Sequence, residues 1–127
     1  MKYINLCPHP ITIRNDAMEF IIPMGTEYLN LNEKWELVDI EIINGYSTPI
    51  YNKTTNACTL LDYMGNIIEE NWKPEFNKKY IVSAYLKNTL FPDTENVYSP
   101  GRNIKANKKI VACLGLTNSV ITEGANI

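Results

Sequence analysis

The sequence predicts an α+β fold that is mostly antiparallel β, sheet-like or barrel-like, with one short helix near residues 84–91. Three observations carry that expectation. Short runs of alternating apolar and polar residues, separated by turn residues, dominate the chain. Asn44-Gly45, flanked by such runs, is the residue pair that a two-residue hairpin turn requires. AYLKNTLF (84–91) alone shows helical spacing, through Tyr85, Leu86 and Leu90, and Pro92 stops it. With 127 residues and 45% hydrophobic content the chain can bury one core, so a single domain over 1–127 with about seven to nine strands is expected.

Taken in order, KYINLC (2–7) alternates and is closed by Pro8 and Pro10. ITIRN (11–15) alternates again, and EFIIPM (19–24) follows the Asn15-Asp16 corner, so the chain is expected to open as a hairpin-like set. TEYLNLN (26–32) puts Tyr28 out of phase with Leu29 and Leu31. WELVDIEII (35–43) alternates through Trp35 and Leu37, then through Val38, Ile40 and Ile42 after a one-residue slip, the signature of a β-bulge. Asn44-Gly45 returns YSTPIYN (46–52) antiparallel, with Pro49 suited to an edge. A second turn is expected at Met64-Gly65-Asn66, and NWKPEFNKK reads as a loop anchored by Trp72 and Phe76. KYIVSAYL is a dense β-branched and aromatic run that feeds the helix. VYSPG (97–101) reads as a turn into KKIVACLGL (108–116), a buried strand; SVIT (119–122) reads as an edge strand and GANI as a frayed end.

Charge narrows the function classes. Fourteen acids against twelve bases argue against a whole-molecule grip on long nucleic acid or an anionic membrane. The distribution is bipolar, −6 over residues 1–75 and +5 over 76–109, which suits a small anion better than a polyanion. No apolar run approaches the roughly 18 residues that span a bilayer, and MKYINLCPHP lacks the apolar stretch of a signal peptide, so a cytoplasmic protein is expected. Cys7, Cys58 and Cys113 form no CxxC pair, so reduced thiols are expected, with no disulfide framework, metal site or cofactor. Edges left by a small β domain favour self-association.

Candidate site residues follow from residue chemistry. His9, the single histidine, stands between Pro8 and Pro10, whose fixed φ would hold its ring in place. Ser83, at a strand-to-helix junction, can cap a backbone amide or meet a phosphate. In SPGRNIKANKK (99–109) turn amides beside Arg102 and Lys105 would make an anion site, with Tyr85 and Tyr98 offering stacking faces for a base. No P-loop or dinucleotide fingerprint is present, and no residue is assigned a catalytic role.

Asn5-Leu6-Cys7-Pro8-His9-Pro10-Ile11, Tyr80-Ile81-Val82-Ser83-Ala84 with a short helix and Pro92-Asp93, Pro100-Gly101, and Ile110-Val111-Ala112-Cys113-Leu114-Gly115-Leu116 occur in that order. The set resembles an uncharacterised family of small phage, prophage and actinobacterial proteins with an N-L-T-P-H-x-V stretch near the start and a P-G…G-C-R-G-L stretch near the end. Cys7, Thr94, Asn96 and Leu114 depart from the family pattern, whereas His9, Ser83 and Cys113 match it and Lys105 stands where the family tends to have Arg. The resemblance implies a phage-encoded protein of the host cytoplasm. By analogy it implies a sponge that sequesters a nucleotide-derived immune signal. The alternatives are an enzyme that degrades such a signal with His9 as acid or base, and an inhibitor that binds a protein through an exposed β-edge near Pro49 or 117–122.

Overall fold

Pro8 and Pro10 cannot donate to a ladder, and where they interrupt the first alternating run the chain leaves one strand and begins another. The computed structural model describes residues 2–120. In chain order the elements are β1 (Tyr3–Asn5), β2 (Ile11–Arg14), β3 (Glu19–Ile22), β4 (Glu27–Ile43), β5 (Tyr46–Asp62), β6 (Ile67–Glu69), β7 (Lys79–Ile81), α1 (Ala84–Leu90), β8 (Val97–Ala106) and β9 (Lys109–Thr117). This is the mostly antiparallel α+β fold that the sequence predicts, with its short helix inside the expected 84–91. Six strands form a sheet in the order β1-β7-β8-β9-β2-β3, and three form a second in the order β4-β5-β6.

The opening is not the hairpin-like set expected. β2 and β3 do pair antiparallel around the Asn15 corner, but β1 runs parallel to β7, with Tyr3 opposite Lys79 and Asn5 opposite Ile81. Between β1 and β2 in the sheet lie β7, β8 and β9. In a flat sheet those four spacings would separate the two strands by ~19 Å. Residues 6–10 would have to be fully extended to reach that far, yet they are bent. The sheet therefore curls, and it is nearly closed and barrel-like.

After Lys79 the dense run at β7 is apolar through Tyr80, Ile81 and Val82 because both its faces are covered. Tyr80 and Val82 join Leu6, Leu29, Leu60, Trp72, Leu86, Phe91 and Val97 in the larger core, under the helix and the second sheet. Ile81 points the other way, into a smaller core with Cys7, Ile11, Ile13 and Cys113. Trp72 anchors the loop before β7 as expected, at 6% exposure. Phe76 does not, and at 93% exposure it projects into solvent.

A second correction concerns residues 97–101. β8 runs straight through Ser99-Pro100-Gly101, which pair with Thr117, Leu116 and Gly115. Pairing with β7 stops at Tyr98, so Pro100 lies where β8 has a neighbour on one side only. Gly101 is there for a close strand approach, since a Cβ would meet Thr117 Cγ2 at 3.2 Å. The reversal falls instead at Asn107-Lys108, both with positive φ, the geometry of a two-residue primed turn. β9 ends at Thr117 and the described residues 118–120 are not strand; the rest of the expected 119–122 strand and the GANI end lie outside the described residues.

β4 and β5 are each 17 residues long and are joined at Asn44-Gly45, where both φ angles are positive. The register slips between Leu37 and Asp39, which makes Val38 the bulged residue that the broken alternation predicts. The lower half of the hairpin carries Leu29, Leu60 and Cys58 into the core, whereas on β4 every residue from Glu33 to Ile43 is exposed.

Candidate functional site

A cavity of about 420 Å³ opens beside the smaller core. Cys7, His9 and Pro10 reach it from the β1–β2 connection, Ile11 and Thr12 from β2, and Ser83 and Ala84 from the junction before α1. Pro100 and Asn103 come from β8, and Ile110, Val111, Ala112 and Cys113 from β9. Four stretches distant in sequence, 5–11, 80–84, 100–101 and 110–116, thus meet at one place, and only Thr12 and Asn103 among the lining residues lie outside them.

The connection that presents His9 is shaped by Asn5. Its buried side chain accepts from the Cys7 amide at 2.9 Å and donates to the carbonyls of His9 (3.3 Å) and Pro23 (3.1 Å). That network folds residues 5–9 into a fixed loop. His9 is exposed, and its Nδ1 sits 2.9 Å from the Pro10 carbonyl. A carbonyl only accepts, so Nδ1 is the donor in this contact. Ser83 caps α1, its hydroxyl oxygen accepting from the Leu86 amide at 3.2 Å, which leaves the hydroxyl proton as a donor.

The two thiols in the wall are held protonated. Burial, and then the neighbouring Cys113, push Cys7 up to about 12; burial also raises Cys113, against the backbone amides of Gly115 and Gly101. Each thiol leans on a carbonyl, Cys7 on that of Ile81 and Cys113 on that of Thr12. Neither is poised as a thiolate nucleophile.

This has a consequence for alkaline stability. Unfolded, Cys7 ionises near its ordinary 9.0, whereas folded it keeps its proton until about 12. Between those values the folded chain binds more protons, so stability falls as pH rises, by up to about 1.4 kcal/mol per pH unit. Urea unfolding of Cys7→Ala beside the native protein from pH 8 upward should show a flatter decline in the variant; parallel curves would refute the burial of this thiol.

Of the six candidate site residues, His9 and Ser83 line the cavity. Lys105, exposed on β8 two residues beyond Asn103 and paired with Ile110 after a register shift, is not among the lining residues. Arg102, exposed between Gly101 and Asn103 and with φ of 56°, is not among the residues that line the cavity. Tyr98 packs edge-on against Tyr3 at 5.1 Å, with Lys79 Nζ 6.0 Å from its ring. Tyr85 stands exposed on α1 and meets Lys53 of β5, whose Nζ is 5.7 Å from the ring. The expected cradle of turn amides is absent because residues 99–101 are strand. Sequence reasoning missed Asn5, Thr12 and Asn103; the signal for Asn5 was an Asx-turn residue two positions before a buried amide.

No family model, curated protein or solved structure matches this chain. Among the described residues no group of three or more His, Cys, Asp or Glu side chains could hold a metal ion, and no helix is long and apolar enough to cross a membrane. Fold and site together define a β-rich chain with a ligand-sized cleft beside the smaller core.

Proposed function

We propose that the protein is a small-ligand binder whose cavity captures an anionic, nucleotide-like molecule. The observation that carries this reading is the convergence of 5–11, 80–84, 100–101 and 110–116 on a space of about 420 Å³. Such a volume falls in the range of small-molecule sites, roughly 300–1,000 Å³. The walls combine an apolar floor with few polar groups, as ligand pockets do: Ile11, Ala112 and Pro10 against His9, Ser83, Thr12 and Asn103. Lys105, two residues beyond the lining residue Asn103 on β8, would supply the cation for a phosphate, and the neutral thiols of Cys7 and Cys113 bring no charge to oppose it. The resemblance to small phage proteins extends the proposal to a sponge that, in an infected host's cytoplasm, sequesters a nucleotide-derived immune signal.

Thermal unfolding in the presence of cyclic nucleotides and ADP-ribose derivatives tests it. At a hundredfold excess over Kd a ligand adds about 2.7 kcal/mol, a rise in Tm on the order of 10 °C. Lys105→Glu and His9→Ala should each weaken binding about tenfold or more while leaving the ligand-free Tm within a few degrees. An unchanged Tm with every compound would sink the proposal. Turnover at substoichiometric protein, abolished by His9→Ala, would favour a degrading enzyme instead.

A further inference from the structure

Beyond the contact of Lys53 with Tyr85, the outer half of the β4–β5 hairpin is a two-stranded ribbon with no buried residue, and a ribbon of that kind is marginal in water when it stands alone. β5 alternates without a slip from Tyr46 to Lys53, so Lys53, Tyr51, Pro49 and Ser47 share one face with their partners Trp35, Leu37, Ile40 and Ile42. The Val38 bulge is what keeps those four partners on that face; were Val38 paired in the regular ladder instead of bulged out of it, Trp35 and Leu37 would turn away from Ile40 and Ile42. Beyond the Trp35–Lys53 pair the face carries no charge, and its side chains are exposed, Ile42 at 69%. Glu36, Asp39 and Glu41 lie on the opposite face.

We infer that this apolar ribbon face is an interface with a second copy of the chain. Trp35, Leu37, Ile40, Ile42 and Tyr51 are each more than half exposed, and together they offer an apolar area comparable to the ~800 Å² that each partner of a standard interface buries. It exceeds the largest patch usual on a monomer, roughly 300–600 Å². The face is self-complementary: stacked on its twin about 10 Å away it brings no like charges together. The acids Glu36, Asp39 and Glu41 then stay in water on the outside and repel an anionic partner such as a nucleic acid or membrane.

Sedimentation velocity of the full chain at micromolar concentration should give twice the chain mass. Leu37→Glu combined with Ile40→Glu should weaken association on the order of a hundredfold, whereas Glu41→Lys on the opposite face should leave it intact. Hydrogen exchange of the unmodified protein supplies a reading that needs no variant: amides of residues 35–53 should lose protection on dilution. A chain that remains a monomer, a double variant that still dimerises, or ribbon amides insensitive to dilution would each overturn the inference. A monomer whose ribbon is protected only by a different protein would overturn it in favour of a protein-binding edge.

Discussion

Trp72→Ala is expected to cost about 3–5 kcal/mol, the range for removing a large aromatic from a well-packed core. Trp72 is 6% exposed although it lies on a loop, because its ring packs edge-on against Tyr80 (4.9 Å) and Phe91 (5.9 Å). Its backbone is tied as well, the amide donating to the Cys58 carbonyl at 3.0 Å and the carbonyl accepting from the Cys58 thiol. Trp72 therefore links β5 of the second sheet through its backbone, and β7 of the first and the end of α1 through its ring. A domain of this size holds only about 5–15 kcal/mol in total, so the variant should lose a large part of its stability and unfold at ~2 M lower urea. Phe76→Ala, four residues on, should change stability by less than about 0.5 kcal/mol, since that ring is in water. Equal losses at the two positions would mean that the loop packs in another way.

That contrast marks the limit of what the sequence could tell. Both aromatics sit in the same polar loop, and no periodicity there says which ring turns inward. Local signals were legible: Asn44-Gly45 and Gly65 have the positive φ their turns require, the slip at Val38 is a bulge, and Ser83 caps a helix that runs from Ala84 to Leu90. Pairing between distant segments was not legible, since nothing in KYINLC says that β1 lies parallel to β7. Ser-Pro-Gly at 99–101 has turn chemistry, but Pro100 is also at home in a strand with one neighbour, and tertiary pairing decided. Of the cavity lining, His9 and Ser83 were legible from backbone rigidity and capping. Tyr85, Tyr98, Arg102 and Lys105 were grouped with them by nearness in sequence, which a twisted sheet does not preserve: none of the four is among the residues that line the cavity. The ribbon was hidden for a related reason, because a strand that covers a core and one awaiting a partner show the same alternation.

Lys87 carries the second large effect. It is fully buried, at 0% exposure, on a helix face shared with Leu86 and Leu90, and its Nζ donates to the Thr94 carbonyl at 2.7 Å, which pins the loop after α1. Lys87→Ala removes the aliphatic stem and leaves that carbonyl without its donor, for an expected loss of about 2–4 kcal/mol. Lys87→Met keeps most of the volume and also spares the desolvation of an ammonium, so its loss should be smaller, about 1–2 kcal/mol. Titration separates the charge from the packing. Burial lowers the lysine's pKa from its ordinary 10.5, against the opposing pull of Asp93. In the interval below 10.5 the unfolded chain is protonated where the folded chain is not, so this residue's contribution to stability rises with pH towards that value. The neutral amine still donates to Thr94, and the gap between the native protein and Lys87→Met should therefore widen from pH 8 to pH 10.5 in urea unfolding. A gap that stays constant, or one that narrows, would show that the ammonium is solvated and that Lys87 acts through its stem alone.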